Sequence, residues 1–406
     1  MSVLIRFAVC LLLLVGLLPD LANAQKRERH SVVPIVYSTD LVSRNAELTF
    51  AAAVLAIDGT GEAIQAIWLK GRQPGDRTSR AVRIAKLALF DAPVVAFFVD
   101  LNHEGGHISR SREKGFPYSF RLVGGPWSSQ RFELLALDFG IFDDLGAQAG
   151  GFEASRYLKD RTEARYWTKD HISPGHALVS IVSALDLPLY AFHNLAPGNF
   201  ENGFPLGDPA AVLSILQTKK LLAGEPYDLN PARSRMRARS LLNLLDTSLW
   251  SLVYGVVGDH GWKGEDGVRV RWLHVGGVDL LPSLRYELTA NAPEYHLRSQ
   301  FRTARTAGAG YVRWSERVDD ARQVGVGGSI TPRRSGRVAS RVDVDTWSHS
   351  RDGAGLHGAV TLEITPRNVR NAMVTVTAGA KSSGQIAALP MDAGGYISAG
   401  LAFTVW

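Results

Sequence analysis

Hydrophobic and polar positions along the chain follow two different periods, and the change comes near residue 265. Before that point, apolar residues recur at helical spacing in long segments rich in Ala and Leu, separated by Gly and Pro clusters. The pattern predicts helices over 46–57, 79–101, 133–145, 176–195, 210–222 and 232–257. This first part of the chain is therefore predicted to be mostly helical.

After that point, apolar and polar residues alternate, as in β-strands. The alternation predicts strands over 268–276, 279–289, 294–304, 308–316, 322–331, 336–348, 354–365, 370–380 and 395–405. Within the second of these runs Leu280 and Leu284 alternate with residues such as Arg285 and Glu287. Each predicted strand thus has one apolar face and one charged or polar face.

The N-terminus carries the features of a secretory signal peptide. Arg6 precedes an apolar run over 7–18, and Ala22-Asn23-Ala24 supplies small residues for cleavage before Gln25. The run is shorter than the roughly 18 apolar residues that a spanning helix needs. Cys10, the sole cysteine, lies within this segment, so the mature chain would contain no thiol. An exported chain without disulfides favours a bacterial periplasm or outer membrane.

Strands of about ten residues behind an export signal, with one apolar and one polar face, resemble the barrels of bacterial outer-membrane proteins. The final residues, 400–406, are similar to the C-terminal targeting strand of those proteins, although Trp406 falls on the face opposite the preceding apolar residues. The resemblance implies an antiparallel β-barrel of about eight strands over 265–406, with its apolar side toward lipid. A soluble β-domain is the alternative.

The length of the chain indicates how many domains to expect, and its charge indicates which partners to expect. A chain of 406 residues predicts two domains after the signal at 1–24, a helical one over 25–264 and a β-domain over 265–406, giving an α+β fold. The net charge of +6 is spread along the chain, and the scattered arginines exclude nucleic acid as an expected partner. Without a thiol, a metal ion would have to be held by His, Asp or Glu.

The segment His103-Glu104-Gly105-Gly106-His107 carries the clearest chemical signal. Histidines four positions apart project from one face of a helix and can share a metal ion. Glu104 beside them can act as general base toward water activated by that ion. Two glycines inside a helix cost about 1 kcal/mol each relative to Ala, so we expect a substrate or a neighbouring helix to pack closely there.

The H-E-x-x-H pattern resembles the zincin metallopeptidases, over residues 93–153. The resemblance implies Zn2+ as cofactor, a peptide or protein as substrate, and a third ligand. Because the next histidine is His171, the third-histidine pattern of metzincins is absent, and the gluzincin pattern implies a glutamate on a later helix. Glu153 is the choice, since it follows Gly150-Gly151 where a helix begins. The competing carboxylates are Asp138, Asp143, Asp144, Glu133 and Glu163.

We therefore expect zinc-dependent hydrolysis of peptide bonds by a periplasmic domain seated at the outer membrane. His171, His176 or Tyr157 could stabilise the oxyanion. One alternative is a non-enzymatic outer-membrane barrel whose helical part holds a structural or degenerate metal site. Another is a soluble periplasmic protease. An intramembrane metalloprotease is disfavoured, because Asp91 and Asp100 interrupt the apolar run before the motif.

Overall fold

The computed structural model describes most of the chain after residue 30. The described residues are 31–38, 41–73, 75–113, 115, 118–128, 132–137, 144–167, 169–196, 207–317, 322–332, 337–350, 353–365, 372–384 and 392–405. The predicted signal peptide and Trp406 lie outside them.

Helices occupy most of the first part of the chain. They are α1 Leu41–Ile67, α2 Arg77–Lys86, α3 Ala92–Glu113, α4 Leu145–Ala164, α5 Pro174–Asn194, α6 Asp208–Leu222, α7 Leu229–Ser240 and α8 Thr247–Tyr254. A π-helical turn, Leu87–Asp91, joins α2 to α3. A 3-10 turn, Leu241–Leu245, joins α7 to α8, and a second π-helical segment, Gly255–Lys263, follows α8.

One helix prediction is wrong over the described residues. The segment 133–145 was expected to be helical, but Phe132–Leu137 is a strand that pairs antiparallel with Tyr118–Leu122. A short apolar run has no clear period of its own, so a pairing partner elsewhere in the chain decides its conformation. The predictions near α1, α5 and α6 are confirmed.

The strands after residue 265 agree closely with the alternating pattern. The strands are β1 Ser31–Ser38, β2 Tyr118–Leu122, β3 Phe132–Leu137, β4 His171–Ile172, β5 Val268–Arg269, β6 Leu273–Val275, β7 Val278–Glu287, β8 Glu294–Arg302, β9 Thr306–Ser315, β10 Gln323–Pro332, β11 Val338–His349, β12 Gly353–Ile364, β13 Ala372–Lys381 and β14 Gly394–Val405. The main sheet is antiparallel, in the order β1-β14-β13-β12-β11-β10-β9-β8-β7-β6.

The α+β class is confirmed, but the prediction of a closed β-barrel is wrong for the part of the chain that the structure describes. The edges of the sheet are β1 and β6, which do not pair with each other. Beyond the short β6, helical residues cover the edge of β7: Asn243 Oδ1 accepts from Tyr286 N at 2.7 Å, and Thr247 Oγ1 donates to the oxygen of Pro282 at 2.8 Å. Helical segments therefore occupy the place where a closing strand would pair.

The polarity of the main sheet is inverted relative to a soluble protein. Its inner face, toward the helices, is largely polar, as in the row of paired residues Arg298, Tyr311, Gly327, Asp345, His357 and Lys381. Paired neighbours share a face of a sheet, and adjacent residues point to opposite faces. The outer face is consequently formed by the apolar residues of the alternation.

Helix α4 lies on this polar inner face and is held there by buried ion pairs. Arg285 reaches Asp160 and Glu163, both at 2.9 Å, and Arg298 reaches Asp160 at 3.0 Å. Removing charges from water is costly unless they are paired and hydrogen-bonded, so these contacts fix which side of α4 faces the sheet. The apolar core of the molecule lies mainly among the helices.

Two helical segments are long and apolar enough to span a membrane, judged by length and composition among the described residues. They are Ala46–Ile67 within α1 and Pro174–Asn194, which is α5. In the tested stretch of α5, 72% of the residues are buried inside the protein, so α5 serves as a core helix. Helix α3, which carries the H-E-x-x-H motif, is not one of the two.

Candidate metal centre

The motif lies on one continuous helix, α3, as its spacing predicts. The apolar stretch before the motif is buried, with Val95, Phe98 and Val99 in the core. This burial anchors the first half of α3 and places His103 and His107 inside the molecule, at 0% and 4% exposure. The two imidazole rings lie on the same side of α3, with their centroids 4.9 Å apart.

The glycines of the motif allow a very close approach between α3 and α4. A Cβ on Gly106 would overlap the carbonyl oxygen of Gly150 and lie 2.7 Å from the Cβ of Ala154. A Cβ on Gly151 would overlap the imidazole of His103. The expectation that a neighbouring helix packs against these glycines is therefore confirmed, and α4 is that helix.

Each histidine uses its Nδ1 atom to hold the ring in place. Nδ1 of His103 lies 2.8 Å from Oδ2 of Asp186, a buried residue of α5. Nδ1 of His107 lies 2.7 Å from the carbonyl oxygen of Ala147, which can only accept, so this nitrogen carries the proton. In a neutral imidazole the Nε2 atom is then the one with a free lone pair for a metal ion.

Both Nε2 atoms converge on one carboxylate. Oδ2 of Asp208 lies 2.9 Å from Nε2 of His103 and 3.3 Å from Nε2 of His107. Asp208 is the first residue of α6, and its side chain is 22% exposed, so the cluster approaches solvent on this side. Within the part of the chain that the structure describes, these three residues form the group suited to hold a metal ion.

Electrostatics within the cluster favour a positive charge on both imidazole rings. Burial disfavours charge on both rings, but the carboxylates of Asp186 and Asp208 outweigh it and raise the pKa of His103 well above its ordinary value. Asp208 similarly raises the pKa of His107. Burial also opposes ionisation of Asp208, yet attraction to the two rings holds the pKa of its carboxyl far below the ordinary range.

The donor set fits a divalent cation. Zinc bonds to imidazole nitrogen and carboxylate oxygen at about 2.0 to 2.2 Å, so tetrahedral ligands lie about 3.4 Å from one another. The distances of 2.9 and 3.3 Å from Asp208 to the two Nε2 atoms are close to that spacing. The Asp186 contact matches the carboxylate–histidine–metal arrangement that orients a ligating ring. Two imidazoles and one carboxylate would hold the ion and leave room for water.

Two further side chains lie at the cluster. Glu104 is half-buried and close enough to His107 for its charge to contribute to the raised pKa of that ring. Tyr190 of α5 stacks on His103, with ring centroids 4.7 Å apart and planes inclined by 17°. Burial is the main cause that raises the pKa of Tyr190 above its ordinary value, so its hydroxyl keeps the proton.

The structure does not bring Glu153 together with the metal-binding group. Its Oε2 atom accepts from Nε of Arg110 at 2.6 Å, and both side chains are buried. Among the competing carboxylates, Asp144 caps the start of α4 by accepting from the nitrogen of Ala147 at 2.8 Å. Glu163 belongs to the ion pairs beneath the sheet. Asp138, Asp143 and the side chain of Glu133 lie outside the described residues.

The three residues considered for the oxyanion have other surroundings. His171 is exposed on β4. His176 is buried and donates from Nε2 to the carbonyl oxygen of Thr162 at 2.7 Å. Tyr157 packs against the apolar core. Their assignment to the oxyanion remains a prediction from sequence, whereas Tyr190 is the hydroxyl-bearing residue whose ring contacts His103.

Sequence reasoning missed both aspartates. Asp208 lies 105 residues from His103, between Gly207 and Pro209 in one of the Gly and Pro clusters that separate the predicted helices. Asp186 offered a usable signal, because it is an isolated acid within the apolar helix α5. Acidic residues are rarely buried in such a helix unless a partner holds them.

Comparison with known proteins does not assign a function to this chain, so a function has to be argued from the geometry of the site. No family model matches this chain, and no curated protein matches it by sequence. The resemblance to zincins therefore continues to rest on the H-E-x-x-H motif.

Proposed function

We propose that this protein is a metal-dependent hydrolase that cleaves peptide bonds, with zinc as the cation. The observation that carries the proposal is the convergence of Nε2 of His103, Nε2 of His107 and Oδ2 of Asp208 beside Glu104. The donor set, of two imidazoles and one carboxylate, is one that suits zinc.

When bound, a divalent cation supplies Lewis-acid chemistry: it lowers the pKa of water and polarises a carbonyl group. The Glu104 carboxylate accepts the proton that water loses as its oxygen bonds to the carbonyl carbon. As the C–N bond breaks, Glu104 returns that proton to the leaving amine nitrogen. Asp186 meanwhile keeps the proton of His103 on Nδ1, which leaves Nε2 directed at the cluster.

The exposure of the cluster is consistent with this role. Both histidines are buried, whereas the side chain of Asp208 is partly exposed, so a substrate carbonyl would approach past the start of α6. The polar groups that remain inside then act in surroundings with little water, where their interactions are stronger. The export signal expected at the N-terminus supports a periplasmic setting for the reaction.

Glu104→Gln gives the decisive experiment. The wild type should purify with bound zinc and cleave members of a mixed-sequence peptide library, read by mass spectrometry. The variant should keep its zinc and lose at least about 100-fold in rate, because a general base contributes that much or more. Glu113→Gln, the same change at the exposed end of α3, is the matched control and should retain full activity.

The second candidate function is a structural metal site in a protein without enzymatic activity, which the deep burial of both histidines favours. A structural site has no need of Glu104. Stoichiometric metal without cleavage of any peptide in the library would establish this alternative. Wild-type protein without a transition metal, or unchanged cleavage by Glu104→Gln, would reject the hydrolase mechanism.

A further inference from the structure

The outer face of the main sheet is an extended exposed apolar surface. Its exposed large residues are Leu297, Val312, Trp314, Val324, Val326, Ile330, Val338, Val342, Val344, Leu356, Val360, Leu362, Ile364, Val376 and Ile397. Across the described outward positions from β8 to β14, the remaining residues are aromatic, aliphatic, Gly, Pro, Ser or Thr, and none is charged. This surface crosses seven adjacent strands.

The inner face of the same strands carries the charged residues, and several of them are buried. Examples are Glu294, Arg298, Arg313 and Asp345. A sheet of a water-soluble domain buries its apolar face and exposes its polar one. Monomeric soluble proteins also rarely expose continuous apolar patches beyond a few hundred Å². The distribution of polarity is thus the reverse of that expected for a sheet surrounded by water.

We propose that this outer face lies against the acyl chains of a lipid bilayer. The strand lengths fit the thickness of a bilayer, because β8 to β14 contain 9 to 12 residues, and a tilted membrane strand needs about 9 to 11. Near one end of the sheet, Trp314 is exposed and stacks on Tyr295, with centroids 5.6 Å apart. Trp and Tyr are the residues that concentrate where a bilayer meets water.

The sheet is open, so the backbone groups at its edge strands need partners if the sheet lies in lipid. Unpaired backbone groups are not tolerated in hydrocarbon unless other protein segments cover them. Helix α1 packs beside β1 at one edge. At the other edge, Asn243 and Thr247 hydrogen-bond to the backbone of β7. Helical residues thereby satisfy backbone groups of β7, and α1 lies next to β1.

The composition of the face favours lipid over a second copy of this chain. A protein interface combines an apolar centre with a polar rim and about one hydrogen bond per 100 to 200 Å². The outward positions of β8 to β14 contain no charge, and Ser and Thr are their few polar residues. Acyl chains need no directional partner, whereas a protein partner needs groups that set its orientation. The inference does not depend on the metal centre.

Site-directed labels can identify the occupant. In a Cys10→Ser background the chain has no cysteine, so Val326→Cys, Val344→Cys and Val360→Cys each carry one environment-sensitive fluorophore on the outer face. Thr218→Cys, on an exposed position of α6, is the control. The protein is reconstituted into vesicles of phosphatidylcholine and phosphatidylglycerol. The three outer-face labels should lose most of their fluorescence to phosphatidylcholine that carries a nitroxide on its acyl chain, and the control should keep its signal.

A charge on the same face provides a second test. Val344→Arg, at the middle of β11, should reduce the constant for partitioning into vesicles roughly thirtyfold or more, as an arginine on the lipid side of a membrane strand does. Val344→Leu is the matched control and should bind as the wild type does. Circular dichroism shows whether each variant is folded.

Three outcomes would overturn the proposal. The outer-face labels could remain fully accessible to aqueous iodide in the presence of vesicles. They could be protected in buffer without lipid while sedimentation shows a dimer, which would make a second copy the occupant. Folded Val344→Arg could bind vesicles as well as Val344→Leu does.

Discussion

Gly106 of α3 lies directly against Gly150 of α4, so close that a side chain on either would overlap the backbone of the other helix. This contact brings the start of α4 beside the two histidines, where the carbonyl oxygen of Ala147 holds Nδ1 of His107 at 2.7 Å. The glycines therefore serve the geometry of the metal centre through the packing of two helices.

Gly106→Ala should destabilise the protein although Ala favours helices. The added methyl group would be forced against the oxygen of Gly150, and overpacking of this kind costs about 1 to 3 kcal/mol. Gly59→Ala in α1 is the matched control, because no atom lies within 4 Å of its added Cβ. It should raise the free energy of unfolding by up to about 1 kcal/mol. Denaturant unfolding followed by circular dichroism measures both, and equal effects would contradict the packing argument.

Asp208→Asn and Glu153→Gln distinguish the two candidates for the third ligand. Loss of a residue that only hydrogen-bonds to a metal ligand weakens metal binding roughly 10- to 100-fold. Asp208→Asn should weaken zinc binding by more than this, because Asp208 contacts both Nε2 atoms. Glu153→Gln should keep its zinc and lose stability, by less than the about 3 to 5 kcal/mol of a fully broken buried pair, because Arg110 keeps its ion pair with Glu113 at 2.8 Å. Competition with a chromogenic chelator gives the affinities.

If Glu153→Gln does not fold, replacing both partners, as Arg110→Met with Glu153→Leu, removes the two buried charges together and leaves only Glu113, whose side chain is 23% exposed. Loss of zinc from that folded double variant, with zinc retained by Asp208→Asn, would return Glu153 to the role of third ligand.

Asp186→Asn should weaken zinc binding about 10- to 100-fold, because Asp186 orients the His103 ring and increases its basicity. Asp186→Glu should recover part of the affinity, since it restores the carboxylate. Asp170→Asn, at a position 68% exposed, is the control and should bind zinc normally. A zinc affinity of Asp186→Asn equal to that of the wild type would show that Asp186 does not position the ligand.

His176 should make the protein sensitive to acid. Burial is the main cause that lowers the pKa of His176 to about 3, whereas an unfolded histidine has a pKa of about 6.5. Between these values the unfolded chain binds a proton that the folded protein does not. Stability is therefore full above pH 6.5 and declines as the pH falls toward 3, by at most about 1.4 kcal/mol per pH unit.

His176→Gln should flatten this pH dependence, because Gln can still donate to the oxygen of Thr162 but does not titrate. Unfolding by urea at a series of pH values, on metal-free protein, compares the two slopes. Parallel slopes for variant and wild type would show that another group causes the acid sensitivity.

Local patterns were enough to predict several elements of this fold. The alternation after residue 265 predicted β7 to β14 within a few residues, because side chains on a strand alternate between two faces. The spacing of His103 and His107 predicted a shared helix face for the same geometric reason. The glycines beside them predicted the close neighbour that proved to be α4.

The arrangement of those elements depended on contacts between distant residues, which no local pattern contains. Beyond the short β6, helical residues rather than a long closing strand cover the edge of β7, so the sheet is open. Asp208 is the first residue of α6, whereas Glu153 lies in the middle of α4, which begins five residues before Gly150 and not at the glycines as expected. Sequence alone could not rank these two acids. Packing directs Glu153 at Arg110 and Asp208 at the two imidazoles, because a buried carboxylate must find a positive or proton-donating partner.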